Sequence, residues 1–424
     1  MPNTAPATTL RGDFVERFGR DGYVLLPERP VVRDGETYFI MSSLAAHIEQ
    51  FAAGRHTAPA RQVAVQRTLS ADKIDDAGHF PLANPYEVTG SFFRFCDRAP
   101  DAALAVTFAL LRDLIGLGPE ALYYRTTDRL GLDLALCRMG ARANNIIVWP
   151  SLKPLSLGQG RASGEYIYLY APYRHGVVPV AVLGFIPLPN GLAVDSAFFL
   201  ERLAMMVEDQ PFPFSTSLFS DLTAAVWGCA DLAGCRQRDG YVWVYAMRAL
   251  VALLWDGAQV GSRYSGHSVK KFVRRLGYSL GGSTLSLATL RDLTAAAGRG
   301  LSELGYDLAG GEAAIAQTLQ AAINGASAQI SRELRRLARS IEGAECNEAD
   351  VARWEQERGL RREWIADLLL ERGRALPFPL KKRRCSIKHD GYPFETAAPV
   401  DVLGILYRAE MGYQTNRATQ LLPS

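Results

Sequence analysis

The chain has no uninterrupted run of about 18 apolar residues, the length a membrane-crossing helix needs. Residues 1–10 show no basic start followed by an apolar stretch, so no export leader is expected either. Both absences point to a cytoplasmic setting without a membrane. Cysteine is sparse and scattered: Cys96, Cys137, Cys229, Cys235, Cys346 and Cys385 form no C-x-x-C, and Cys385 with His389 is the single Cys–His pair at ligand spacing. One such pair cannot complete a zinc site, so no metal is expected and the thiols read as reduced. An excess of one charge is missing as well. The net charge of +3, from 47 basic and 44 acidic residues, identifies no polyanion partner unless the basic residues cluster. What remains is an ordinary globular composition, 48% hydrophobic and 21% charged over 424 residues, enough for two or three domains.

The basic residues do cluster, late in the chain. Apolar spacing predicts a short helix over residues 11–20 (Phe14, Val15, Phe18) leading into a strand over 23–26, and β-branched or alternating runs over 166–170 and 177–187 predict antiparallel core strands. After Gln210 the pattern turns helical: 241–256 is apolar, 266–280 basic and 313–341 amphipathic. The change of domain should fall between Gln210 and Arg238, with Pro211 and Pro213 at the exit. This gives 1–225 and 226–424 as the working division. In the basic helix Lys270, Lys271, Arg274 and Arg275 pair at i and i+4, which makes one cationic stripe. A helix face turned to solvent explains such a stripe on its own; phosphate contacts explain it beside a nucleic-acid enzyme. Arg332, Arg335, Arg336 and Arg339, and the run 381–384, carry the same two readings.

The most specific segment is Val194-Asp195-Ser196-Ala197-Phe198-Phe199-Leu200-Glu201-Arg202-Leu203-Ala204. It resembles motif 3 of alanyl-tRNA synthetase, a class II enzyme, whose pattern is V-D-T-G-M-G-L-E-R-[IL]-A. Gly22-Tyr23-Val24-Leu25-Leu26-Pro27 resembles that family's opening turn, and Asn84-Pro85-Tyr86-Glu87-Val88-Thr89-Gly90-Ser91-Phe92 its motif 2. The run from Met247 to Gly257 and the run from Gly266 to Arg275 resemble I-R-A-x-x-F-x-I-x-D-G and G-Y-V-L-R-R-[IL]-[IL]-R-R of its helical tRNA-recognition domain, in order and in spacing. The resemblance covers roughly residues 8–418. It implies an α+β class II-type antiparallel sheet flanked by helices, followed by an all-helical tRNA-binding module, in a monomer without an editing domain.

By this resemblance Asp195 holds the amino group of an amino acid and Arg202 contacts the nucleotide. Lys270, Lys271, Arg274 and Arg275 meet the acceptor stem, with Glu363 and Ser262 at the positions that read a base pair there. The departures are as telling. Ala197, Phe198 and Phe199 replace the G-M-G that lets adenosine lie on the backbone, and residues 78–86, GHFPLANPY, hold none of the arginine that grips the α-phosphate. An Arg–phosphate contact contributes roughly 1.5 to 3 kcal/mol in binding, and more where charge develops in the transition state. In the pocket strand the family's Trp and Asn give way to Leu183 and Gly184, so specificity for alanine does not carry over.

These departures favour an aminoacyltransferase that takes its amino acid from aminoacyl-tRNA and passes it to a small-molecule amine or sulfonamide, needing no ATP and no other cofactor. It is similar to the stand-alone synthetase-like transferases of sulfonamide and nucleoside antibiotic biosynthesis. The ATP-dependent activating enzyme or ligase is the alternative. Asp195, Arg202 and Glu87 are the expected catalytic set, with Glu87 the preferred general base over Glu165 and His79. Leu183, Glu165, Phe198 and Phe199 are expected at the substrate.

Overall fold

The computed structural model describes residues 10–33, 38–52, 61–77, 84–97, 99–149, 153–158, 161–173, 176–308, 310–342 and 346–378. The strands are β1 (Val24–Leu25), β2 (Arg61–Leu69), β3 (Tyr86–Asp97), β4 (Tyr123–Thr126), β5 (Ile146–Val148), β6 (Leu155–Ser156), β7 (Ser163–Tyr173), β8 (Gly176–Leu188) and β9 (Gly191–Phe199). The helices around them are α1 (Leu10–Arg20), α2 (Ser43–Ala46), α3 (Ile48–Ala52), α4 (Asp101–Ile115), α5 (Leu132–Arg138) and α6 (Leu200–Val207). They are followed by α7 (Ser217–Gly228), α8 (Arg236–Trp255), α9 (Tyr264–Ser279), α10 (Leu287–Ser302), α11 (Glu312–Ser340), α12 (Glu348–Arg358) and α13 (Arg362–Glu371). The expected class is observed: a sheet flanked by helices, then an all-helical region.

Among the described residues the sheet has nine strands in the order β1-β2-β3-β9-β8-β7-β4-β5, with β6 added to β7. It is antiparallel from β2 to β4, while β1 on β2 and β5 on β4 are parallel at the two edges. Residues alternate between two faces along each strand. One face carries Val88, Phe92, Leu183, Phe185, Val194 and Phe198 into the main core, against Phe14 and Phe18 of α1 and Leu203 of α6. Gly90 marks how closely α1 lies: a Cβ there would meet the Phe14 ring at 2.7 Å. The other face holds Ala64, Phe93, Phe95, Ile186 and Ala193, packed under Leu44, Phe51 and Leu155 in a smaller cluster. Burial from both sides explains why β8 reads apolar at nearly every position.

The 241–256 pattern becomes the later part of α8, which runs from Arg236 to Trp255 and is buried on all sides between Val242 and Leu253. The basic and amphipathic patterns become α9 and α11, within two residues of the expected starts. The main core runs unbroken from sheet to helices. The division at 225 and 226 falls inside α7, and buried ion pairs cross it: Arg248 to Glu201 at 2.5 Å, and Arg67 to Asp256 at 3.1 Å. Asp256 also accepts the Val31 backbone N–H at 2.6 Å. Among the described residues no helix is long and apolar enough to cross a membrane.

Candidate functional site

Register places the site on the second, less covered face. Asp195 stands opposite Gly184 on β8 and Phe93 on β3. By alternation Ala197 and Phe199 share its face, as do Val182 of β8, Tyr166 and Tyr168 of β7, Arg125 of β4, and Glu87, Thr89 and Ser91 of β3. Tyr166, Tyr168, Val182, Ala197 and Phe199 are half-buried and form an open strip. Its two ends are Asp195 and, about 13 Å further along β9 at ~3.3 Å per residue, Phe199 with Arg202 above it.

Asp195 is 8% exposed, and its Oδ1 has no hydrogen-bond partner. Burial pushes its carboxyl well above the ordinary carboxylate range, only partly offset by the Ser196 backbone N–H. Burial therefore favours the neutral, protonated form of Asp195. Further polar atoms on this face are buried without hydrogen-bond partners, among them Ser91 Oγ, on β3 next to the strip, and His47 Nε2, whose ring meets Phe93 at 5.7 Å. Burial, with the Arg29 charge second, lowers His47 to about 4, so its ring is neutral at physiological pH. His47 stands in no motif, and nothing in the sequence pattern signalled it. Gly184 keeps the space beside Asp195 narrow, since a Cβ there would meet Leu155 at 2.8 Å.

The other end of the strip is an occupied arginine. The helix begins at Leu200, after Phe198 and Phe199 have closed β9, and strand alternation sends these two adjacent rings to opposite faces. Phe198 is 0% exposed and packs against Phe14 at 5.7 Å and Phe92 at 6.1 Å, so it belongs to the core and does not line the site. Phe199 stays on the site face, with the Arg202 guanidinium 4.0 Å above its ring. Arg202 donates from Nε at 3.1 Å and Nη2 at 2.7 Å to Glu87 Oε1, and from Nη1 at 3.1 Å to the Pro179 carbonyl. Asp195, Arg202, Glu87 and Phe199 thus share one face.

Leu183 and Glu165 do not join them. Leu183 pairs with Ser196 and is fully buried in the main core, on the face opposite Asp195. Glu165 pairs with Phe185 on that same opposite face, accepts from Thr127 Oγ1 at 3.2 Å and meets Arg129 Nε at 3.1 Å. One residue in a strand decides the face, and motif matching does not supply that parity. The structure instead adds Arg125, whose guanidinium lies 4.4 Å over the Tyr168 ring. His79 lies outside the described residues, as do Cys385, His389 and the run 381–384.

The cationic stripe resolves into two parts. Lys270, Lys271 and Arg274 line a cavity of about 480 Å³ together with Asp75, Ser262, His267, Gly359 and Arg361. Lys270 donates to Ser262 Oγ at 2.9 Å, Arg274 donates to the Gly359 carbonyl at 2.5 Å, and Arg361 bridges Asp75 at 2.7 Å and Glu363 at 3.5 Å. Burial, and then the like charge of Arg361, lowers Arg274 from the usual guanidinium range. Arg275 is not part of this surface. It is buried and donates to the Ile74 carbonyl at 2.6 Å, so it ties α9 to the 71–76 turn. Arg332, Arg335, Arg336 and Arg339 form an exposed helix face, in which Arg336 pairs with Glu333 at 2.9 Å.

No protein-family model matches the chain, and no curated protein does. Among solved structures it is similar to the apo crystal structure of histidyl-tRNA synthetase from S. aureus, at 10% identity and a TM-score of 0.34, over 47% of this chain and 66% of that one.

Proposed function

We propose that this protein is an aminoacyl-tRNA-dependent aminoacyltransferase that moves an amino acid from tRNA to a small-molecule amine or sulfonamide, in natural-product biosynthesis and without ATP. The observation that carries the reading is the state of Arg202. The arginine that would meet a nucleotide phosphate already spends three N–H donors on Glu87 and Pro179, and the Phe199 ring covers its flat side. A triphosphate would have to break a buried ion pair to reach it, and removing one partner from such a pair costs about 3 to 5 kcal/mol. The absence of arginine from residues 78–86 points the same way.

In this reading Asp195 takes the α-ammonium of the bound aminoacyl ester by a charge-assisted hydrogen bond. The aminoacyl-adenosine end lies along the strip toward Phe199. Attack by the acceptor nitrogen on the ester carbonyl forms the C–N bond and breaks the bond to the ribose oxygen, which leaves as a hydroxyl. Glu87, kept paired with Arg202 through Oε1, accepts the proton of the attacking nitrogen on its other oxygen and passes it to the departing ribose oxygen. Holding ester and nucleophile together can lower the barrier by about 7 to 11 kcal/mol, so an activated ester needs little further help. The helical region from α8 onward supplies tRNA binding, with Lys270, Lys271 and Arg274 at the cavity and Glu363 paired to its Arg361, and the protein acts as a monomer.

The test is a reaction of labelled aminoacyl-tRNA with candidate acceptors, with and without ATP. Transfer in both conditions supports the reading, whereas amino-acid-dependent pyrophosphate exchange would replace it with an ATP-dependent ligase. Tight tRNA binding with no product from any acceptor, unchanged by Asp195→Ala, would indicate a binding protein instead.

A further inference from the structure

Two exposed aromatic rings next to the cationic cavity have no role in the fold. Tyr264 is 68% exposed and Tyr38 46%, and their rings meet edge-on with centroids 5.5 Å apart at 66°. Tyr264 opens α9 with a φ of 53°, in the left-handed region that a bulky side chain occupies only at a cost. Core packing does not explain a ring left in water on a strained backbone. Met41, 55% exposed, extends the apolar patch along the segment that carries Tyr38.

The placement of the pair joins two surfaces. Tyr264 lies two residues beyond Ser262, in the same helix that presents His267, Lys270, Lys271 and Arg274 to the cavity. Tyr38 belongs to residues 38–52, which continue into α2 and cover the sheet face that holds Asp195. A ligand passing from cavity to strip is anionic where it meets the lysines and flat and apolar where it meets the rings. Single-stranded nucleic acid has both properties, because each phosphate is followed by a base with an unsubstituted π-face.

We infer that Tyr38 and Tyr264 form a stacking platform for an unpaired nucleobase, at the point where an RNA single strand leaves the cationic cavity for the Asp195 face. The inference rests on the reading that the helical region binds RNA. The resemblance quoted for residues 266–275 begins after Tyr264 and assigns that ring no role. The strain is retained because the platform needs the ring held outward, away from the helix body.

The experiment measures binding of the full chain to two synthetic RNA hairpins, one with a four-nucleotide unpaired 3′ tail and one blunt. The tail should tighten binding about tenfold, the range that stacking of one base provides. Tyr264→Gly should abolish that gain and leave blunt-hairpin affinity unchanged, while its melting temperature stays level or rises because glycine suits the left-handed backbone. Tyr264→Trp should keep the gain. Equal binding of both hairpins by the unaltered chain overturns the inference alone, as does a Tyr264→Gly loss shared equally by both. Failure to bind either hairpin removes the underlying RNA reading as well. Self-association of the free protein that Tyr264→Gly abolishes would assign the patch to a second copy of the chain.

Discussion

Replacing Asp195 by asparagine separates the cost of this residue from its use. The carboxyl is buried with one oxygen unpartnered, and desolvation raises its pKa well above the ordinary carboxylate range. For a carboxyl raised in the folded state, the associated stability is fully present below the unfolded pKa and is lost as pH rises through the folded one. An amide in its place cannot ionise, so the substitution removes that loss. Asp195→Asn should melt at the same temperature as the unaltered protein near pH 4 and above it by a widening margin toward pH 8. Its effect on turnover runs the other way. The amide keeps the shape but cannot carry the charge that meets an α-ammonium, so roughly 1.5 to 3 kcal/mol of binding is lost, about a 10- to 150-fold drop in aminoacyl transfer. Thermal melts across pH 4–8, alongside transfer of a labelled aminoacyl group, read both effects on one preparation. A variant less stable than the parent at pH 8, or one with full transfer activity, would refute the reasoning.

The two adjacent phenylalanines should behave differently. Phe198→Ala removes a fully buried ring beside Phe14 and Phe92 and should cost about 3 to 5 kcal/mol of stability in denaturant titration. Phe199→Ala loses mainly its contact with Arg202, about 0.5 to 2 kcal/mol, and should change substrate KM more than stability. Equal destabilisation by both would contradict the opposite facings. Removing Lys270 and Arg274 together should reduce the slope of log affinity for tRNA against log salt by roughly 1.4 to 1.8, as two phosphate contacts are lost. An unchanged slope would place the RNA surface elsewhere.

The order of elements was legible from one-dimensional pattern because each rests on local periodicity: Phe14 and Phe18 mark the buried side of α1, and the apolar and basic stretches became α8 and α9. The segment from Val194 to Ala204 likewise singled out Asp195 and Arg202, and the two do meet one surface. Spacing alone could not decide which neighbours share that surface. Strand parity sends Phe198, Leu183 and Glu165 to the far side, and it depends on pairing between strands distant in sequence. Whether a cation is available was likewise a tertiary outcome. Arg275 is used up on Ile74 and Arg202 on Glu87, 115 residues away, while Lys270, Lys271 and Arg274 stay at an open cavity. The chain by itself determined its elements and their chemistry-bearing residue types, since these follow from neighbours along the backbone. The fold decided which charges are neutralised, which rings are buried and which polar atoms are left waiting for a partner, because those depend on what long-range packing brings within a few ångströms.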